Sequence, residues 1–402
     1  MILKNTYPVF LLASSAACMG TRAARAEAAN AQTYTDNVMA GVRALNKHWY
    51  NIQTGIWDDA WWNSANALTT LADFASVRLD EANKLNIGGY MRNTFYQAQK
   101  IDVKAAKTVN KAGMVSSVYC LDGNDGCMAK REFLGKRGFA DFINDFYDDE
   151  GWWALAWIRS YDVARDQEYL DAAVDIFDDM QTGRGTNCGG GIFWSKNRNY
   201  IAAISNELYL SVAASLARRV PGNTTYKTAA ISQWEWFEKS TLINEQHLIN
   251  DGLDLACKNQ KLQTWSYNQG VILGGLAELY KLTNDVKYLE KAVPIAQAAI
   301  KAFSVNGVLV EADKCDIAKG FCGRDGAQFK GVFIRNLRYL NEVAPRQEFK
   351  DFIIRNADSI WSKDRTDDNL FGVSWVGPYF KAFGATQSSA LDVLVAAVAV
   401  SS

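Results

Sequence analysis

The chain has 402 residues, 49% of them hydrophobic and 22% charged, a globular composition that excludes a disordered or fibrous protein. Its formal net charge is −1 with Lys and Arg spread along the chain, and the lack of a basic block argues against a nucleic-acid partner. Only 2 His accompany 13 Trp, 17 Tyr and 19 Phe, which argues against His-based zinc sites, Ser-His-Asp triads and Cys-His dyads and toward flat rings suited to the C–H faces of sugars.

The N-terminus reads as a signal peptide. Lys4 supplies its positive end, residues 7–19 its short apolar stretch, and Ala24-Arg25-Ala26 a small-x-small cleavage site. Residues 1–26 are assigned to this leader and residues 27–402 to a single domain, because no Pro-rich or Ser-rich linker interrupts them. Apolar spacings of three and four then predict helices in pairs. Amphipathic helices are expected over 35–52, 82–103, 166–181, 224–246, 285–303 and 346–363. Partners apolar nearly all round are expected over 60–79, 139–164, 198–219, 266–283, 327–344 and 386–400. A helix apolar all round is buried, and one with a polar face lies at the surface. The alternation therefore predicts an all-α closed barrel of six inner and six outer helices. Strand-like alternation is confined to short hairpins near 191–194 and 305–310.

Aromatic, amide and acidic residues recur where the inner helices begin: Trp61-Trp62-Asn63, Asp148 to Trp153, Trp194, Trp265 to Gln269, and Trp375. If the inner helices are parallel, these starts converge at one mouth of the barrel and form a cleft for sugars. Six cysteines follow the leader, allowing 15 connectivities in an oxidising compartment. Cys120 with Cys127 and Cys315 with Cys322 have the spacing of local loop staples, which leaves Cys188 with Cys257. With no CxxC spacing and no nearby His, a metal site is not implied. Asn223-Thr224-Thr225 is a glycosylation sequon in a turn, usable in a eukaryotic host.

Among the acidic pairs, Asp178-Asp179 falls on an outer polar face, Asp367-Asp368 in a turn, and Asp58-Asp59 where it can cap the first inner helix. Asp148-Asp149-Glu150 lies instead in the most aromatic stretch of the chain, beside Asn144, Phe146, Tyr147, Trp152 and Trp153. Apolar surroundings raise carboxyl pKa values, and two adjacent acids cannot both ionise easily. Such a pair provides the anionic nucleophile and the protonated acid that retaining glycoside hydrolysis needs. Because neighbours on a regular helix diverge by about 100°, the pair is expected at a distorted helix start.

The run Asn144 to Trp157 resembles the signature of glycoside hydrolase family 76, the endo-α-1,6-mannanases. Trp61 to Asn66, Ser205-Asn206-Glu207-Leu208, Tyr267-Asn268-Gln269-Gly270 and Phe329-Lys330-Gly331-Val332-Phe333 agree with it. The resemblance implies an (α/α)₆ barrel that cleaves within α-1,6-linked mannose backbones with retention, Asp148 as nucleophile and Asp149 as acid/base. The helix starts and these segments together give Trp62, Asn66, Asn144, Trp152, Asn206, Tyr267, Asn268, Gln269, Lys330 and Trp375 as candidate substrate-binding residues. The chain also resembles fungal cell-wall members, for which the alternative is a transglycosidase moving glycoproteins from a mannose-containing GPI core glycan onto wall β-glucan. Those members carry a C-terminal GPI signal, whereas residues 391–400 read here as the sixth inner helix. A secreted, extracellular or wall-associated monomer without cofactor is expected.

Overall fold

The computed structural model describes residues 12–109, 114–121 and 138–402, with side chains from Asn30 onward. Its helices are α1 (Leu12–Trp49), α2 (Trp61–Val77), α3 (Leu79–Lys84), α4 (Ile87–Ala98), α5 (Tyr147–Ala164), α6 (Gln167–Gln181), α7 (Ala203–Arg219) and α8 (Thr224–Lys239). They continue with α9 (Ser266–Thr283), α10 (Lys287–Ala302), α11 (Cys315–Ala318), α12 (Gly323–Val343), α13 (Gln347–Lys363) and α14 (Gly384–Val400). Residues 1–11 of the expected leader lie outside the described residues, and its remainder overlaps the start of α1.

Periodicity decides which helices go inside. In α6 the buried residues are Tyr169, Leu170, Ala173, Ile176, Phe177 and Met180, one stripe that leaves the acidic face in water. In α9 burial is nearly continuous from Ser266 to Ala277. The continuously buried helices close a ring: α2 packs on α5, α5 on α7, α7 on α9, α9 on α12, α12 on α14, and α14 returns to α2. Around them α1 lies on α14, α6 on α5, α8 on α7, α10 on α9 and α13 on α14, with α3 and α4 beside α2. This is the expected (α/α)₆ barrel.

The inner helices are parallel, because starts meet starts and ends meet ends. Near the starts, Trp62 stacks on Trp152 with ring centroids 5.5 Å apart, and its indole donates to Asp325 of α12 at 2.5 Å. Asp58, just before α2, accepts from Gly384 at the start of α14 at 3.1 Å, so it caps the last inner helix and not the first. At the far ends, Asp73 of α2 pairs with Arg159 of α5 at 3.4 Å and Arg338 of α12 at 3.3 Å. Arg219 of α7 bridges Asp162 at 2.5 Å and Glu278 of α9 at 3.3 Å. Arg335 of α12 reaches Asp392 of α14 at 3.1 Å. Every inner helix contributes to this charge network, which runs from buried Asp73, Arg335, Arg338 and Asp392 to half-buried Arg159, Asp162, Arg219 and Glu278.

The structure departs from the predicted elements in four places. Asn86, left-handed at φ 55°, splits the expected helix 82–103 into α3 and α4. After α4 the chain turns into a hairpin, β3 (Val103–Val109) with β4 (Val115–Leu121), which the sequence reading did not anticipate. The helix expected from 139 begins only at Tyr147, because Asp141 and Phe142 hold positive φ values of 57° and 65°. Near 191–194 there are isolated bridges, Arg184 to Ile192 and Phe146 to Ser195, instead of a hairpin. Short ladders occur elsewhere: β1 (Tyr50–Asn51) with β2 (Ile56–Trp57), β5 (Ile201–Ala202) with β6 (Gly252–Leu253), and the expected β7 (Ser304–Val305) with β8 (Val308–Leu309).

Disulfides join Cys188 to Cys257 and Cys315 to Cys322, as the spacing predicted. Cys120 is disulfide-bonded, and its expected partner Cys127 lies outside the described residues. Asn223 is exposed and caps α8 by accepting from the Thr225 amide at 3.0 Å. No helix among the described residues is long and apolar enough to cross a membrane.

Small residues set the spacing of the ring. A Cβ on Gly331 of α12 would lie 2.5 Å from the Cα and carbonyl oxygen of Ser389 on α14, backbone atoms that cannot swing aside. Gly331→Ala is therefore expected to destabilise the fold by about 1–3 kcal/mol through overpacking, measured by denaturant unfolding. An unchanged unfolding midpoint would show that the α12–α14 spacing is loose.

Candidate active site

Asp148 and Asp149 occupy the first turn of α5, at the mouth where the inner helices begin. The turn is regular, not distorted as expected, and its three acids benefit from the partial positive charge of the helix N-terminus. They part company by direction. Glu150 turns outward to the Lys196 ammonium at 3.1 Å. Asp148 and Asp149 converge on a single cation, Lys107 of β3. Its Nζ lies 3.0 and 2.9 Å from the two oxygens of Asp148 and 2.6 Å from Oδ1 of Asp149. The nearer carboxylate oxygens are thus no more than about 5.5 Å apart, a bound that admits the separation of retaining glycosidases and falls short of the roughly 6.5–9.5 Å of inverting ones.

Asp149 is held at its other oxygen. Oδ2 accepts from the Asn144 amide at 2.6 Å and from the Tyr119 hydroxyl of β4 at 2.9 Å. Asn144 is fixed in turn, because its own Oδ1 accepts from the Phe146 amide at 2.7 Å. Burial pushes the Asp149 carboxyl up to about 6: loss of hydration and the charge of Asp148 raise it, against the opposing pull of Lys107. Burial also works against the charge on Lys107, but the two aspartates outweigh it and raise its pKa. The ammonium further sits over the Phe146 and Trp194 rings, 4.8 and 5.6 Å from their centroids.

The expected binding residues fall into two groups. Trp62, Trp152 and Tyr267 line the space beside Asp148, and Tyr267 stacks on Phe329 with centroids 3.9 Å apart. Asn144 joins them through Asp149. Asn268 is buried at the start of α9, and neither of its amide atoms has a partner among the described residues. The others are engaged in holding the barrel. Asn206 brackets Ile192, accepting from its amide at 2.8 Å and donating to its carbonyl at 3.0 Å. Gln269 brackets Ile249 in the same way at 2.7 and 2.9 Å. Ser64 and Gln387, each also the fourth residue of an inner helix, hold Trp57 and Phe371 at 2.9 and 2.8 Å. Asn66 accepts from Arg335 deeper in the barrel. Lys330 is buried against Asp316 at 2.5 Å and lies 4.3 Å from the centroid of the Trp375 ring, so both belong to the wall.

The structure adds residues that the sequence reading passed over. Lys107, Ser117 and Tyr119 come from the hairpin, and Asp325 of α12 accepts from both the Trp62 indole and the Ser117 amide, each at 2.5 Å. Asp251 accepts from the Tyr200 hydroxyl at 2.6 Å, and burial together with the charge of Asp148 pushes it up to about 6. Glu207 is fully buried, has no partner among the described residues, and is raised well above the usual range by burial and by Asp251. Cys315, Asp316 and Cys322 cluster, but the two sulfurs are consumed in their disulfide.

The model for glycosyl hydrolase family 76 matches residues 22–401. Curated relatives include the mannan endo-1,6-alpha-mannosidases DFG5 of Candida albicans, 26% identical over 62% of this chain and 60% of its own length, and DFG5 of Saccharomyces cerevisiae, 30% identical over 47% and 44%. The chain thus spans about half the length of the curated relatives it matches. A similar solved fold is that of an inactive variant of the α-1,6-mannanase GH76A of Salegentibacter sp. HEL1_6, bound to α-1,6-mannotriose, with two adjacent aspartates changed to asparagine. It is 20% identical, covers 91% of this chain and 99% of that one, and has a TM-score of 0.70. Dfg5 of Chaetomium thermophilum in complex with glucosamine aligns at a TM-score of 0.65 and 18% identity over 85% and 80%.

The buried acids make stability depend on pH. Asp149, Asp251 and Asp392 are raised to about 6, and Glu311 and Asp364 to about 7, chiefly by burial. Free carboxyls titrate near 4. A folded pKa above the unfolded one gives stability that is complete below about pH 4 and is lost as pH rises through about 6–7. Glu278, lowered to about 2 chiefly by Arg219 against the effect of burial, loses its contribution only in stronger acid. The melting temperature is therefore expected to fall between pH 4.5 and 7.5, as followed by circular dichroism. A flat or rising profile would mean that these carboxyls are hydrated.

Proposed function

The chain belongs to glycosyl hydrolase family 76, and on that premise we propose that it is a retaining, endo-acting glycosidase cleaving α-1,6-mannosidic linkages of mannan. The observation that carries this is the convergence of two buried aspartates on one point beside stacked aromatic rings. The names of its relatives and an inactive neighbour altered at two adjacent aspartates support the same chemistry.

In the first step a carboxylate oxygen of Asp148 attacks the anomeric carbon while Asp149 gives its proton to the departing glycosidic oxygen. A mannosyl ester of Asp148 forms and the shortened glycan leaves. In the second step Asp149, now anionic, takes a proton from water, which attacks the same carbon from the opposite face and releases Asp148. The two inversions give net retention. Asn144 occupies Oδ2 of Asp149 and leaves Oδ1 on the side that Lys107 shares with Asp148. Trp62, Trp152 and Tyr267 offer faces and edges for the sugar rings. Transfer to a sugar hydroxyl, as onto wall glucan from a GPI core glycan, differs only in the acceptor that replaces water. The disulfides support secretion into an oxidising compartment, and the exposed Asn223 suits glycosylation.

Asp148→Asn is expected to lower turnover of α-1,6-mannotetraose by at least about 10³-fold while leaving the circular dichroism spectrum intact; with the nucleophile gone, no covalent route remains. Mass spectrometry of the products separates hydrolysis from transfer, because transfer yields glycans longer than the substrate. Near-normal cleavage by Asp148→Asn would remove the nucleophile assignment. In Asp149→Ala, a mannoside with a good leaving group needs no acid for the first step, and azide, which needs no base, should restore its turnover as a glycosyl azide of retained configuration; an inverted azide would exchange the two roles.

A further inference from the structure

The mouth of the barrel is covered by its own chain. Lys107 reaches from β3 to both aspartates, with its side chain only 2% exposed. From β4, Tyr119 bonds Asp149 at 2.9 Å and the Ser117 amide bonds Asp325 at 2.5 Å. The space left among Trp62, Lys107, Asp148, Trp152 and Tyr267 is about 10 Å³. That holds roughly one water molecule, whereas ligand pockets begin near 300 Å³. No sugar ring fits beside Asp148 while Lys107 is in place.

The position of the ammonium is itself informative. A glycosidase transition state carries positive charge at the anomeric carbon, between the nucleophile and the acid. Lys107 Nζ is a positive charge held between these same two groups. It therefore competes with the reacting sugar for both space and electrostatics. The hairpin is also fastened unevenly. Its root is buried at Val103, Ala105 and Leu121, bridged from Val103 to Phe139, and next to the disulfide-bonded Cys120. Beyond Lys107, Thr108 and Val109 are exposed. Lifting the outer half would break the polar contacts of Lys107 and of Ser117 opposite it, and leave the root, with Tyr119 opposite Ala105, seated.

We propose that β3 and β4 form a self-inhibiting strap, latched by Lys107 on Asp148 and Asp149, which the glycan must displace before the pair can react. The strap rests on the pair being the catalytic site, but it can be tested without turnover. The groups facing Lys107 are Asp148 and Asp149 of α5, Tyr119 of β4, Asp325 of α12, and the Phe146 and Trp194 rings. Lifting Lys107 removes the positive charge that holds the Asp149 proton off.

The test compares wild type with Lys107→Met, which keeps the length of the side chain and removes its charge, and Lys107→Arg, which keeps the charge. Two probes report opening. One is labelling of Asp148 and Asp149 by carbodiimide and glycine ethyl ester, mapped by peptide mass spectrometry. The other is hydrogen exchange of the Ser117 amide, whose bond crosses to Asp325. In Lys107→Met both are expected to speed up by about tenfold or more, as loss of a buried ion pair implies, while Lys107→Arg stays within about threefold of wild type. Equal rates in all three proteins would overturn the latch. With α-1,6-mannotetraose, KM of Lys107→Met should fall about tenfold without loss of kcat. A fall in kcat at unchanged KM would overturn the strap by making Lys107 part of the chemistry. If none of the three cleaves mannan, the proposed activity fails, and labelling and exchange still decide the strap.

Discussion

Two carboxylates cannot be buried side by side at one helix start without compensation. At an effective dielectric constant of 20 two unit charges 4 Å apart interact by about 4 kcal/mol, and each also loses its hydration. The mouth of this barrel is arranged around that constraint. The N-terminus of α5 supplies partial positive charge, Lys107 a whole one, and Asn144 and Tyr119 donate to the oxygen that Lys107 leaves. What remains uncompensated appears as the raised pKa of Asp149. Full neutralisation would give two inert carboxylates, and none at all would leave the pair too costly to bury. The hairpin thus serves stability in the resting protein and, in the proposed strap, stands in the way of substrate, two consequences of one ion triad.

Much of the barrel was legible because helix burial is written in a local period. The run from Ser266 to Thr283 has no polar stripe and could only be inside, and Tyr169 to Met180 has a clear one. The β3–β4 hairpin was not legible. Residues 99–109 satisfy helical spacing about as well as strand alternation, and what decides between them is a contact of Lys107 with residues 41 and 42 positions away. No local pattern carries that information. The buried face of Val103 and Ala105 was the one available signal, and it is too short to override the helix before it.

The amides show a different limit. Ser64, Asn206, Gln269 and Gln387 each stand fourth in an inner helix, and each holds the backbone of the loop before it. A polar residue there faces outward, toward the turn that brings the chain in from the outer ring. From sequence alone, an amide in the first turn beside a Trp reads equally well as a sugar ligand. The helical angle separates the two cases. Asp148 and Asp149, second and third in α5, point into the mouth, and Glu150, fourth, turns out to Lys196 just as the amides turn to their loops. The same one-residue step of about 100° explains why three consecutive acids do not act alike.

The two ends of the barrel treat buried acids in opposite ways. At the far end Asp73 is lowered by Arg159 and Arg338 despite full burial, and Glu278 falls to about 2, chiefly through Arg219, against the same burial. At the mouth Asp149 and Asp251 rise to about 6 and Glu207 is raised as well, because hydration is lost with fewer cations among the described residues to replace it. Asp392 marks the limit of the far-end pattern: one arginine is not enough, and it too rises to about 6. Arginine stays charged at any ordinary pH and presents a fork of donors, so it makes a permanent lock among the helix ends. Among the described residues the cation set between the mouth aspartates is a lysine on a hairpin, a point charge on a flexible stem. Cations fixed to helices at one end and carried by a hairpin at the other divide the interior into a part that holds the ring closed and a part where, in the proposed mechanism, a proton is passed as substrate reacts.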